Sequence, residues 1–156
     1  MATATDSEGA PLAITTSDDH TAIVWNTLSG EHLHTLTGHT GAVSAVATVT
    51  APDGTPLAIT TSRDETAIVW NTLSGEHLHT LTGHTGAVSA VATVTAPDGT
   101  PLAITTSRDE TAIVWDLGSG RRLHSCFLRH PSDTVRAASN GFLVGYGPEV
   151  AYFTFD

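Results

Sequence analysis

Residues 56–100 run Pro56-Leu-Ala-Ile-Thr-Thr-Ser-Arg-Asp-Glu-Thr-Ala-Ile-Val-Trp70, then Asn71-Thr-Leu-Ser-Gly-Glu-His-Leu-His-Thr-Leu-Thr-Gly-His-Thr-Gly86, then Ala87-Val-Ser-Ala-Val-Ala-Thr-Val-Thr-Ala-Pro-Asp-Gly-Thr100. Residues 11–55 repeat this stretch with two changes, Asp18 in place of Arg63 and His20 in place of Glu65. A further copy begins at Pro101 and keeps its identity through Trp115. Trp25, Trp70 and Trp115 hold the 45-residue step, and so do Pro11, Pro56 and Pro101. Met1-Ala-Thr-Ala-Thr5 lines up with Val46-Ala-Thr-Val-Thr50. A fixed period of this length marks a supersecondary unit that buries its faces only by stacking on copies of itself.

The unit reads as strands throughout. Ala42–Val49 is small and apolar at nearly every position, which predicts a strand buried on both faces. Ala51-Pro-Asp-Gly-Thr-Pro56 is a turn. Leu57–Ser62 is a second strand, Arg63-Asp-Glu65 a tight turn, and Thr66–Trp70 a third strand. After the Leu73-Ser-Gly75 turn, Glu76–Thr82 alternates as a more exposed outer strand. No helical period appears. A four-stranded antiparallel meander results, and stacked meanders of this length make a β-propeller.

At this point the chain resembles the WD-repeat family. The family's marks are a Gly-His pair, a turn Asp, and Trp-Asp closing the third strand. Here they are Gly38-His39 with Asp64 and Trp70, then Gly83-His84 with Asp109 and Trp115. Trp115-Asp116 is the literal dipeptide; Trp25-Asn26 and Trp70-Asn71 are variants of it. The resemblance covers nearly the whole chain. It implies hydrogen-bonded tetrads of His39, Thr60, Asp64 and Trp70, and of His84, Thr105, Asp109 and Trp115. Thr15, Asp19 and Trp25 form a set with no preceding Gly-His. Ser62 and Ser107 are alternatives to the two Thr on the same strand face. The indole N–H needs a partner when buried, which fits such a network.

The resemblance also implies an open all-β propeller of about three and a half blades. The expected divisions are a first blade at 1–37 with a truncated innermost strand, a second at 38–82 and a third at 83–127. A degenerate three-stranded blade follows at 128–156, where Leu128-Arg129 replace Gly-His and neither turn Asp nor Trp recurs. Its strands are read at Thr134–Ser139, Phe142–Tyr146 and Val150–Phe155, with Asn140-Gly as a hairpin turn. The expectation is a piece of a larger propeller, or a chain that closes a ring of about eight blades with a second copy.

Composition narrows function. The 156 residues carry 16 acids, six Arg and no Lys, for a formal charge of −10. Without Lys there is no P-loop lysine, Schiff-base lysine or kinase strand lysine. The acidic balance argues against nucleic acid, which needs a basic stripe. The only basic stretch is Arg121, Arg122, Arg129 and Arg136. Cys126 stands alone, so no intrachain disulfide forms. No apolar run approaches the ~18 residues of a membrane helix, and a cytoplasmic location is expected.

His, Asp and Ser/Thr invite a hydrolase reading. Yet the set recurs in every repeat, and a triad needs one nucleophile beside one oxyanion hole. The pairs His32 with His34 and His77 with His79 lack a further ligand in sequence for a tetrahedral metal. No catalytic residue, cofactor or metal is therefore expected. Between the two full copies, the changed positions flank the turn Asp. Asp18, His20, Arg63, Glu65, Arg108 and Glu110 are thus the candidate contacts for a protein or peptide partner. The chain reads as an interaction scaffold of the kind found in bacterial signalling or assembly proteins. The alternative is a repeat array whose main property is self-assembly.

Overall fold

The structure, a computed structural model, describes residues 1–138, 141–146 and 149–154. Among the described residues, fifteen strands form four antiparallel sheets. Sheet 1 contains β1 (Ala2–Thr5), β2 (Pro11–Thr16), β3 (Thr21–Asn26) and β4 (His32–Thr37). Sheet 2 contains β5 (Val43–Thr50), β6 (Pro56–Ser62), β7 (Ala67–Asn71) and β8 (His77–Leu81). Sheet 3 contains β9 (Val88–Thr95), β10 (Pro101–Ser107), β11 (Thr111–Asp116) and β12 (Arg121–Phe127). Sheet 4 contains β13 (Thr134–Ala138), β14 (Gly141–Tyr146) and β15 (Glu149–Thr154). Each sheet is a meander in chain order. There is no helix among the described residues, and so none long and apolar enough to cross a membrane. Asn140 of the expected hairpin turn, and the expected strand ends Ser139 and Phe155, lie outside the described residues.

Side-chain alternation builds the stack. Odd and even positions of a strand face opposite ways. On β6, Leu57 and Ile59 therefore pack toward sheet 3, while Ala58 packs toward sheet 1. Leu12, Ile14, Val24 and Leu36 of sheet 1 meet Ala58, Ile68 and Trp70 of sheet 2. Leu57, Ile59, Val69 and Leu81 meet Ala103, Ile113, Trp115 and Leu117 one step on. Leu102, Ile104 and Val114 meet Val135, Phe142 and Val144 of sheet 4. Sheets 2 and 3 are covered on both faces, which is why β6 and β10 are buried at every residue.

The innermost strands depart from expectation. In β5 only Val43 is fully buried, and β9 alternates between buried and half-buried. These strands line the inner wall of an open arc, so solvent reaches what a closed, narrow centre would hide. Threonine hydroxyls stitch this wall together. Thr48 Oγ1 donates to the Thr3 carbonyl and Thr93 Oγ1 to the Thr48 carbonyl, both at 2.7 Å. In each of the first three sheets, the pairing of the third and fourth strands shifts register just before the Trp. That bulge sets His32 opposite Trp25 and His77 opposite Trp70, with ring centres 5.4 and 5.1 Å apart.

Candidate functional site

The connection from β4 to β5 carries Gly38-His39-Thr40-Gly41, and the β6–β7 turn carries Asp64. The fold brings them together over 25 residues. His39 Nδ1 lies 2.8 Å from Asp64 Oδ2, and His39 Nε2 lies 2.9 Å from Thr60 Oγ1. Trp70 Nε1 donates to the same Thr60 oxygen at 2.8 Å. One proton order satisfies all four groups. The indole N–H donates to Thr60, the Thr60 hydroxyl to His39 Nε2, and His39 Nδ1–H to the carboxylate. Asp64 Oδ2 also accepts the Thr40 amide at 2.9 Å, and Oδ1 accepts the Thr66 hydroxyl at 2.6 Å. The set repeats as His84 with Asp109 (3.0 Å) and Thr105 (2.9 Å), Trp115 with Thr105 (2.8 Å), and the Thr85 amide on Asp109.

Thr, not Ser, sits at the centre of each set. Ser62 and Ser107 lie at the strand ends, where they donate to the Gly41 and Gly86 carbonyls and accept the Asp64 and Asp109 amides. Two glycines serve close approach rather than special backbone angles. A Cβ on Gly41 would lie 2.9 Å from the Asp64 amide nitrogen, and one on Gly38 would lie 3.2 Å from the Trp70 ring.

The first sheet has only part of the set. Trp25 Nε1 donates to Thr15 Oγ1 at 2.9 Å, and Asp19 Oδ1 takes the Thr21 hydroxyl at 2.6 Å. No hydrogen bond joins Thr15 or Asp19 to an imidazole among the described residues; the Asp19 carboxyl is instead held below its usual range by the Thr21 hydroxyl and amide, with smaller help from Ser17 and the charge of His20. In sheet 4, Ser132 occupies the corresponding loop and donates to the Thr134 and Gly145 carbonyls. The Thr106 hydroxyl donates to the Ser132 carbonyl at 2.9 Å. His130 is exposed.

The networks make the fold acid-sensitive. Burial pushes the Asp64 and Asp109 carboxyls up, but bonds from Thr66 or Thr111, from the Thr40 or Thr85 amide and from the His outweigh it, leaving both below the usual 3.8. Burial holds the His84 imidazole below the usual 6.5, against an opposing pull from Asp109. The unfolded chain therefore binds protons first in each case. Stability is full above about pH 6.5 and declines below it as the unfolded His84 becomes charged. A second decline follows below about pH 4, as the carboxylates that the folded state keeps ionised are protonated. Thermal melts between pH 8 and 3 check this; a higher melting temperature at pH 5 than at pH 7 would contradict it.

The candidate contact residues separate into two groups. Asp18, Arg63 and Arg108 line one hollow of about 310 Å³ at the inner edge of the arc. Asp133 joins them from the loop before β13, with Ser44 and Ser89 on the wall between. No sequence pattern pointed to Asp133, which reaches this place only through the stacking of sheet 4. Among the described residues, neither guanidinium is in an ion pair, and Ser89 Oγ is buried without a hydrogen-bond partner. His20, Glu65 and Glu110 instead occupy the left-handed position of each turn, with φ of 75°, 71° and 64°. They do not line the hollow.

Both imidazoles of the networks use both nitrogens in structural bonds. Cys126 Sγ donates to the Ala112 carbonyl, and burial raises its thiol pKa, the reverse of nucleophile activation. His32 Nε2 pairs with Thr35, and His34 Nε2 reaches the Leu73 carbonyl of the next sheet, both at 2.8 Å. His77 and His79 do the same with Thr80 and the Gly118 carbonyl. Among the described residues no group of three or more His, Cys, Asp or Glu could hold a metal.

Comparison with known proteins agrees with this geometry. The WD domain, G-beta repeat, matches residues 30–71 and 75–116. Each match spans the outer strand of one sheet and the three inner strands of the next. The sequence repeat therefore contains its own His–Thr–Asp–Trp network and bridges two sheets. No curated protein matches the chain. The solved structure of U3-55K aligns with a TM-score of 0.81 at 26% identity, over 98% of this chain and 45% of that one. The chain thus spans less than half the length of that neighbour. Over more than half of its residues it carries WD-domain G-beta repeats, folded as an open stack of propeller sheets, and it belongs to the WD40 family.

Proposed function

We propose that this chain is a non-catalytic protein-interaction scaffold that docks its partner on the edge carrying the β2–β3, β6–β7 and β10–β11 turns. WD40 propellers generally bind protein partners. The observation that carries the reading here is the hollow at the inner end of that edge. It sets Arg63 and Arg108 in the middle, with Asp18 and Asp133 as flanking acids. The pattern favours a partner presenting acidic side chains between basic ones. The chain's charge of −10 disfavours a uniformly acidic one. The networks behind the turns supply rigidity, which lowers the ordering cost of binding.

The test uses the hexapeptide Lys-Gly-Glu-Glu-Gly-Lys, followed by amide chemical shifts of the full chain. Saturable shifts centred on Arg63, Arg108 and Ser89, weakening as salt rises, support the reading. Shifts confined to the other edge of the sheets, or none at millimolar peptide, overturn it.

One observation favours a second reading, self-association. Sheet 1 leaves Ile23 and Trp25 half-exposed on its outer face, while sheet 4 leaves Val150 67% exposed and Leu143 39% exposed. A ring made from two copies would cover both faces head to tail. Light scattering after size exclusion separates the states, since a chain of 16.2 kDa would then run at twice that mass.

A further inference from the structure

Two serines on the wall of the Arg63–Arg108 hollow are placed there by bulges. The β5–β6 pairing sets Val43 opposite Ser62 and then Ala45 opposite Thr61, so Ser44 is the extra residue. The β9–β10 pairing sets Val88 opposite Ser107 and then Ala90 opposite Thr106, so Ser89 is the extra residue. A bulge bends its strand and re-aims a side chain, and bulges concentrate beside functional sites. Ser44 is exposed, and water can serve its hydroxyl. Ser89 differs. Its Oγ is buried and meets no hydrogen-bond partner among the described residues.

The hydroxyls around it are all in use. Ser107 Oγ donates to the Gly86 carbonyl, Thr106 Oγ1 to the Ser132 carbonyl, and Thr105 Oγ1 bonds His84. On β6, Thr61 Oγ1 is also buried without a partner, but Thr61 does not line the hollow. A buried hydroxyl without a partner destabilises the fold. At Ser89 this occurs on the wall that also carries Arg63 and Arg108, whose guanidiniums form no ion pair among the described residues. Because the Ser89 hydroxyl makes no hydrogen bond, rotation about its Cα–Cβ bond breaks none.

We propose that Ser89 is a partner-binding residue of this hollow, whose hydroxyl turns inward and donates to the carboxylate that Arg63 and Arg108 hold. The inference rests on the docking reading above and adds a neutral donor to it. A guanidinium offers donors and no acceptor, so an anion held by two of them is the acceptor that a third donor can share. An O–H bond to a carboxylate is charge-assisted and among the stronger ones. Binding also satisfies the hydroxyl, which removes the destabilisation carried by the free protein.

The test adds two variants to the Lys-Gly-Glu-Glu-Gly-Lys titration of the full chain. Ser89→Ala is expected to weaken peptide binding about tenfold. Its melting temperature should hold or rise by about 2–5 °C, because an unpartnered hydroxyl is removed. Thr61→Val removes the other unpartnered hydroxyl at nearly constant volume. It should change the melting temperature in the same direction and leave binding unaltered. Equal binding by Ser89→Ala and the unsubstituted chain overturns this inference and leaves the docking reading standing. No binding by the unsubstituted chain overturns both. A melting temperature that falls in Ser89→Ala, or binding weakened as much by Thr61→Val, also overturns it, since the hydroxyl would then act through the fold.

Discussion

Trp70→Ala is expected to lower the unfolding free energy by about 3–5 kcal/mol, a fall in melting temperature of about 10 °C for a chain of this size. The same substitution at Trp25 is expected to cost about 1–2 kcal/mol, because the transfer and cavity contributions both scale with burial. The two residues occupy the same place in near-identical repeats, so sequence context is held constant. Only the neighbours differ. Trp70 is 2% exposed, lies among Leu12, Ile14, Val24 and Leu36 of sheet 1, and is capped by Gly38. Trp25 lies on the outer face of the stack, against the His32 ring and the Thr15 hydroxyl. Because a stack unfolds by nearest-neighbour steps, Trp70→Ala should also release sheet 1 before the rest. Urea titration followed by far-ultraviolet circular dichroism checks both points. Equal costs at the two positions would mean that the outer face of sheet 1 is covered in solution.

Thr105→Val should be nearly as damaging, though it changes the side-chain volume hardly at all. The hydroxyl accepts from Trp115 Nε1 at 2.8 Å and bonds His84 Nε2 at 2.9 Å, and Thr105 is fully buried. Its loss strands two buried polar groups, each costing about 1–3 kcal/mol when left without a partner. We expect a loss of about 2–4 kcal/mol in total. Thr15→Val strands only the N–H of Trp25, a half-exposed side chain, and should cost under about 1 kcal/mol. Chemical denaturation of the two variants side by side measures the difference. A neutral Thr105→Val would show that the network does not hold the third sheet.

Much of this was legible in the sequence because the repeat supplies its own internal controls. A 45-residue step with period-two apolar alternation leaves little choice but stacked meanders. The hydrogen-bonding residues announced themselves by recurring in step with the Trp. The choice between Thr60 and Ser62 was not legible. Both lie on one strand face, and only the register that sets Ala58 opposite Trp70 decides which hydroxyl the indole N–H can reach. The two substituted positions looked alike for a similar reason. Alternation ends at the turn, so nothing in the string separates Arg63, at the hollow, from Glu65, at a left-handed backbone position. The half-exposure of β5 was also hidden, because composition reports what a strand could bury and not whether the ring around it closes. Asp133 was the least visible of all. Its neighbours in the hollow lie far away in sequence and arrive by stacking.

The proposed function divides the labour: the repeated residues hold the sheets, and the turn residues at the inner edge meet the partner. The double variant Arg63→Glu with Arg108→Glu tests this most directly, with its thermal melt and its Lys-Gly-Glu-Glu-Gly-Lys titration measured on the same sample. Both side chains are exposed and outside the networks, so the melting temperature should stay within about 2 °C, as for ordinary surface changes. Binding of the peptide should be lost. A melting temperature lowered by about 10 °C, equivalent to several kcal/mol, or peptide binding that survives the charge reversal, would contradict the account.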